Sequence, residues 1–439
     1  MKSLKAKKVL IVSYIFPPMG GGGVFRVLKF CKYLPRFNWL PVVLTVKEHD
    51  AESFDETLLK EIPEAQIYKT YSVDLPLFYK KYLKKKRKKG SDTPTAGADR
   101  SRGVFNAIKQ FVDNFILIPD SRIGWIPFAV YKGFKIWKKD GVDLIFSTGG
   151  PWTNHLIGLL LKLLTQLPWV ADFRDPWTQN LIFDYPFRLR KTLEEQMEKC
   201  VLSKADWIVT ATHSIANDLQ DKYPGIDREK FVTIRNGFDS DDFSDIKVEK
   251  MNGFNITHTG NFYLKQSPKY FLQALRELLD ENRVPKINIK VNFVGVLDKR
   301  SKEIIRSLRL DSVVRCIGIV PHNRSIQWMC SSDILLLVVS DERTIVTSKV
   351  YEYMMANRPI LALSGEGEAS NLLKRTDMAI IVSSRNVKEI KNAIYNLYLK
   401  KQAGRLVVAP NFSFIRKFDR KKLTRQLSTL FDKCINIDT

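Results

Sequence analysis

Within the 439-residue chain, the densest group of chemically useful side chains is Thr347-Ser348-Lys349 followed by Glu352. Apolar runs flank it, Ile334 to Val339 and Pro359 to Leu363, and these read as buried strands of a parallel sheet. Between them the spacing of Tyr351, Met354 and Met355 predicts a short helix, with Asn357 just past its end and Pro359 as the stop. That helix starts at the carboxyl edge of a parallel strand. Backbone N–H groups, the positive end of the helix dipole, two hydroxyls and one ammonium converge there, which suits an anion such as a diphosphate. Glu352, one turn further in, is placed to accept hydrogen bonds from a sugar hydroxyl. The stretch alone leaves open a hydrated helix end with Glu352 on a solvated face.

Similar chemistry gathers in the first half. Lys8 to Phe16 reads as a strand, Pro17 to Gly23 as a loop, and the next residues as a helix with Val24, Val27, Leu28, Cys31 and Leu34 on one face. Gly21, Gly22 and Gly23 let backbone approach a phosphate or acceptor, and Arg26 in the first turn faces an anion in this reading. Phe25 stands at the third glycine position of the dinucleotide fingerprint, and no Gly-Lys-Ser/Thr follows, so neither that motif nor a Walker loop is present. The strands Asp143 to Thr148 and Trp169 to Phe173 run into Gly149-Gly150-Pro151 and Arg174-Asp175-Pro176-Trp177. His155, Asp172, Arg174 and Asp175 therefore share a carboxyl edge, where open α/β sheets bind ligands. A structural histidine and an Arg–Asp pair that braces a loop are the alternatives.

Composition narrows the class. The five cysteines are scattered, odd in number and without metal-ligand spacing, which points to a reducing compartment. The apolar run Val9 to Phe16 is too short for a signal peptide core followed by a cleavage site, and Leu156 to Leu164 is too short to span a bilayer. Seventy-one basic against 47 acidic residues leave a net charge of +24, so a polyanionic neighbour is expected. The run KKYLKKKRKK begins at Lys80, and the helix expected over Val104 to Ile118 carries an apolar stripe. A basic cluster beside apolar surface suits anionic lipid, while a solvated loop and a core helix are the plainer readings.

Strand and helix alternate in both halves, so the fold class expected is α/β: two facing, doubly wound Rossmann-like domains with an interdomain cleft. The first domain is expected over 1–238, with a membrane-facing basic region at 80–118. A hinge follows at 239–253, a second domain at 254–410, and a terminal helical segment at 411–439 that returns to the first domain.

The motifs VLIVSYIFPPMGGGGVFR, DLIFSTGGPWTNH, WVADFRDPW, RNGFD, THTGNFYLKQSP, GIVPH, SSDILLLV and SKVYEYMMANRPILAL, in this order, resemble glycosyltransferase family 4 of the GT-B fold, in its bacterial surface-polysaccharide branch. The resemblance spans nearly the whole chain. It implies a retaining, metal-independent hexosyl transfer with no tightly bound cofactor. The second domain would hold a UDP- or GDP-sugar and the first an acceptor, expected to be a polyprenyl-diphosphate-linked glycan on the inner face of the plasma membrane. Glu352 matches the ribose-binding glutamate, Thr347-Ser348 the turn on the distal phosphate, and Lys265 the diphosphate lysine. Val320 lies where the base packs, Gly260 and Asn261 form the turn beside the donor, and His155 would approach the transferred sugar, with Arg174 and Asp175 beside it. Two positions depart from the pattern: Thr344 stands for the first of the paired glutamates, and Asn261 for an arginine.

Three other functions fit parts of the sequence. A sugar-nucleotide epimerase would share the architecture and the donor site. A nucleic-acid-binding protein would account for the charge, yet the charge concentrates in one loop without interleaved aromatics, so no nucleic-acid partner is expected. A dinucleotide-dependent dehydrogenase fits only the first strand–helix–strand unit.

Overall fold

The computed structural model describes residues 6–47, 54–73, 112–180, 185–262, 266–339, 344 and 346–436. Lys265 and the basic region as far as residue 111 lie outside them. The chain divides into two compact units, Met1–Ile234 with Thr424–Thr439, and Arg235–Leu423.

The first unit is built on seven strands: β1 (Lys7–Val12), β2 (Trp39–Val46), β3 (Gln66–Thr70), β4 (Leu144–Thr148), β5 (Trp169–Phe173), β6 (Trp207–Thr210) and β7 (Phe231–Thr233). Their order is β3-β2-β1-β4-β5-β6-β7, with every pairing parallel. Val9 to Val12 are buried, as a strand covered on both faces requires. The chain reverses its direction of winding between β1 and β4, and the carboxyl edge at that switch is where ligands enter such sheets. The final helix, Arg420–Asn436, brings Phe431 onto Trp39 and Phe146, with ring centroids 5.2 and 5.6 Å apart. Lys7 pairs with Asp432 at 2.7 Å on the same side.

The second unit repeats the plan with β8 (Phe254–Thr259), β9 (Ile289–Val294), β10 (Val314–Gly318), β11 (Ile334–Val338), β12 (Ile360–Leu363) and β13 (Ala379–Val382), in the order β10-β9-β8-β11-β12-β13. Its pairings are also parallel. The helix Ser348–Met355 buries Val350, Tyr351, Tyr353 and Met354, whereas Met355 stays half-buried. Asn357 follows it at φ 55°, the left-handed conformation expected just past a helix end.

Several elements carry no clear local signal. β3 is an edge strand with mostly half-exposed residues, so it lacks an apolar run. The helix Arg188–Lys204 buries Glu194 and Glu198 where leucines would announce a core face. Of the helix expected over Val104 to Ile118, residues 112–118 are described: one π-helical turn, Val112–Ile116, followed by the buried Leu117 and Ile118 outside any helix. Phe115 and Ile116 are exposed there, with Phe115 tilted onto Phe187 at 5.0 Å.

Candidate functional site

In the second unit the site begins where β8 ends. Gly260 follows Thr259 at φ 102°, and its N–H donates to the Val294 carbonyl across the sheet. A β-carbon on Gly260 would overlap the Cε and Nζ of Lys349, so the lysine lies directly across this turn. Lys349 belongs to the first turn of the helix Ser348–Met355. Thr347 caps that helix in an extended conformation, with no side-chain cap hydrogen bond among the described residues. A second tie fixes the helix: the Thr259 N–H donates to the Tyr353 hydroxyl at 2.8 Å. Beneath the turn, His258 is buried, with Nδ1 3.0 Å from the Leu336 carbonyl and its ring stacked on Phe262 at 4.2 Å.

Glu352 stands one turn beyond Lys349 and is 14% exposed. Its Oε1 lies 3.2 Å from His322 Nε2, the first residue of the helix His322–Ser331. Burial works against the charge on Glu352, but the His322 hydrogen bond and the charges of His322, Lys349 and Arg420 hold its carboxyl below the usual range. Burial lowers the Lys349 ammonium, opposed by Glu352. A carboxylate and a desolvated ammonium thus share one helix face next to a strained glycine turn. Val320 is half-buried on the short loop leading to His322. Asn261 turns away from these groups: its Oδ1 accepts from the Val296 N–H at 2.8 Å. His322 and Tyr353 were not singled out from sequence, although both sit inside the quoted motifs GIVPH and SKVYEYMM.

In the first unit the carboxyl-edge residues are drawn together, but mostly inward. Asp172 is fully buried and accepts from Arg26 Nη2 at 2.7 Å, Arg26 Nε at 3.0 Å and the Thr148 hydroxyl at 2.8 Å. Arg26 also donates to the Ile234 carbonyl at 2.9 Å. Expected to face an anion, Arg26 is instead 2% exposed, because an unpaired carboxylate at Asp172 would be far costlier in the core than a paired one. Arg174 donates to the carbonyls of Gly23 and Gly150, clasping the loops after β1 and β4. Gly23 leaves room for that guanidinium, which a β-carbon would touch at 3.0 Å.

His155 also lies inward. Expected to approach a sugar, it is fully buried, with Nδ1 2.9 Å from the Ser147 hydroxyl and its ring stacked on Phe173 at 4.6 Å. Its Nε2 meets no hydrogen-bond partner among the described residues. Burial lowers its pKa to about 3, so the ring is neutral in ordinary conditions. Asp175, by contrast, keeps 44% of its side chain exposed, with Oδ2 3.8 Å from Arg174 Nε.

The loop behind Asp175 is braced from below. Glu194 accepts from Trp177 Nε1 at 3.1 Å and from the Tyr185 hydroxyl at 3.0 Å. Glu198 accepts from the Thr178 N–H at 3.2 Å and the Tyr223 hydroxyl at 2.8 Å. These buried glutamates hold the loop by hydrogen bonds that periodicity does not reveal.

Two family models match the chain: Glycosyltransferase Family 4 over residues 93–242, and Glycosyl transferases group 1 over residues 253–400. No curated protein matches it. Among solved structures, a glycosyltransferase from Rickettsia africae is 16% identical, with a TM-score of 0.64 and 98% of each chain covered. A sucrose-phosphate synthase from Thermosynechococcus elongatus is 13% identical, with a TM-score of 0.68, covering 98% of this chain and 100% of its own. The Anabaena protein HepE, solved in complex with UDP, is 14% identical with a TM-score of 0.58, covering 97% and 100%. At these identities the structures speak for the fold, and the family models for the activity. The chain is a glycosyltransferase of the family 4 type, built from two Rossmann-like domains in the GT-B manner.

Proposed function

We propose that this glycosyltransferase moves a hexose from a UDP- or GDP-sugar to a hydroxyl of a lipid-linked glycan in surface polysaccharide synthesis, with retention of configuration. The observation that carries the donor half is the convergence of Gly260, Lys349 and Glu352 at the carboxyl edge of β8 and β11. Glu352 takes a ribose hydroxyl. The first turn at Thr347 and Ser348, the Lys349 ammonium and Lys265 take the diphosphate, and Val320 packs the base. The UDP complex of the Anabaena neighbour supports a nucleotide-sugar donor.

The chemistry follows from the leaving group. A departing nucleoside diphosphate gathers negative charge, and the transition state is stabilised where fixed dipoles and cations await that charge in a site with little water. The helix N-terminus and the desolvated Lys349 supply both, so the reading calls for no resident metal. The acceptor hydroxyl attacks on the face the leaving group vacates and passes its proton to the departing phosphate, without a covalent enzyme adduct. Asp175, the exposed carboxylate of its loop, orients the acceptor. Arg174, His155, Arg26 and the Gly21 to Gly23 loop shape the acceptor side from behind.

The acceptor half rests on one surface. The helix Ile126–Asp140 exposes Phe128, Tyr131, Lys135, Lys138 and Lys139, and the helix Thr153–Thr165 packed beside it exposes Leu160, Leu163 and Leu164. Aromatic and leucine side chains next to lysines suit the interface of an anionic membrane. No helix among the described residues is long and apolar enough to cross a membrane. We read the enzyme as peripheral on the inner face of the plasma membrane.

The test has two parts. A thermal-shift screen against UDP-, GDP- and ADP-sugars should single out one donor, since a ligand of the folded state raises its melting point. That donor with polyprenyl-diphosphate-linked acceptors should then yield a product of retained configuration, on vesicles containing phosphatidylglycerol but not on neutral ones. A sugar nucleotide epimerised without acceptor would overturn the transfer reading, and vesicle binding indifferent to lipid charge and salt would overturn the membrane reading.

A further inference from the structure

A carboxylate that is to accept from a ribose needs a fixed orientation and must stay clear of nearby cations. Glu352 has a competing cation on its own helix: Lys349 stands three residues earlier, and side chains at that spacing are neighbours. What holds Glu352 comes from elsewhere in the chain. His322 Nε2 lies 3.2 Å from Glu352 Oε1, and His322 Nδ1 lies 3.8 Å from Asp242 Oδ2. Asp242 belongs to the turn Ser240–Phe243, His322 opens the helix His322–Ser331, and Glu352 rides on Ser348–Met355. All three side chains are between 14% and 16% exposed, so water screens them weakly.

We propose that His322 is a positioning residue for donor recognition. It occupies one oxygen of Glu352, leaves the other for the ribose, and keeps the carboxylate from closing onto Lys349, whose ammonium is then available to the diphosphate. The proposal rests on the reading of Glu352 as the ribose acceptor. The arrangement ties three separate elements to one acceptor oxygen, a form of preorganisation that raises affinity without touching the ligand.

Titration calorimetry with UDP, GDP and their 2′,3′-dideoxy counterparts separates the two ideas. The wild type should prefer the ribo form of its nucleotide by about ten-fold, the size of one hydrogen bond to a charged group. In Glu352→Ala that preference should vanish. In His322→Ala it should fall to about two-fold, with weaker binding of both forms as Glu352 swings onto Lys349. His322→Gln, which keeps a donor at this position, should restore most of the preference. KM for the donor should rise in His322→Ala while kcat changes little. If Glu352→Ala keeps the ribo preference, the ribose reading fails and the proposal with it. If Glu352→Ala loses the preference and His322→Ala keeps it at an unchanged melting temperature, the proposal alone fails.

Discussion

Lys349 lies across Gly260 so closely that the turn has no room for a β-carbon. One residue follows directly on a strand and the other lies in the first turn of a helix nearly ninety positions later. The glycine's φ of 102° adds a second reason for its type, since L side chains rarely adopt that backbone.

Gly260→Ala should therefore displace the Lys349 side chain and strain the turn, at a combined cost of about 1–3 kcal/mol. Nucleotide affinity should fall about ten-fold or more by calorimetry, while the melting temperature of the first unit's transition stays put. Unchanged nucleotide affinity with a confirmed substitution would remove Lys349 from the donor site.

The lowered Lys349 ammonium makes a pH prediction. In the proposed donor site a diphosphate would bind the protonated lysine and raise its pKa on binding. Affinity is then complete below the free protein's lowered value, and declines as pH rises through it. The alkaline limb of nucleotide binding should start below the ordinary lysine range near 10.4. Lys349→Met, which keeps the chain across Gly260, should bind more weakly at neutral pH and lose that limb. Calorimetry from pH 7 to 10 reads both.

The buried pair Arg26–Asp172 makes a prediction about stability. Removing one partner leaves a charge in the core, so Arg26→Met and Asp172→Asn should each destabilise by about 3–5 kcal/mol in urea unfolding. The double substitution should be milder than the two losses combined. Full additivity would mean that the two side chains act independently.

His155 predicts an acid limb. Its pKa of about 3 in the folded chain lies below the ordinary 6.5, so between those values the unfolded chain binds the extra proton. Stability from this residue is complete above about 6.5 and declines toward pH 3, by about 1.4 kcal/mol per unit at most. His155→Phe keeps the stacking on Phe173, and its melting temperature should fall less than the parent's between pH 7 and 5. Equal slopes would place the proton elsewhere.

The carboxyl edges of the two sheets were legible because their signals are local. The glycine turn at 260, the helix start at Thr347 and the strand end at Phe173 each follow from residues a few positions apart. The brace beneath Asp175 was not legible, because Glu194 and Glu198 look like solvent-facing charges on a charged helix until Trp177, Thr178, Tyr185 and Tyr223 are folded against them.

From sequence alone came the two doubly wound halves and the edges at which polar residues gather. Apolar runs and helical periodicity record burial one element at a time. Tertiary structure decided which of those polar residues remain open to a ligand. Arg26 meets Asp172 across 146 positions, and Arg174 reaches Gly23 across 151, so neither guanidinium's fate is written near it in the chain. Glu352 and His322 meet across 30 positions in the same way. Charge pairing depends on distance in space, and only the folded backbone sets that distance.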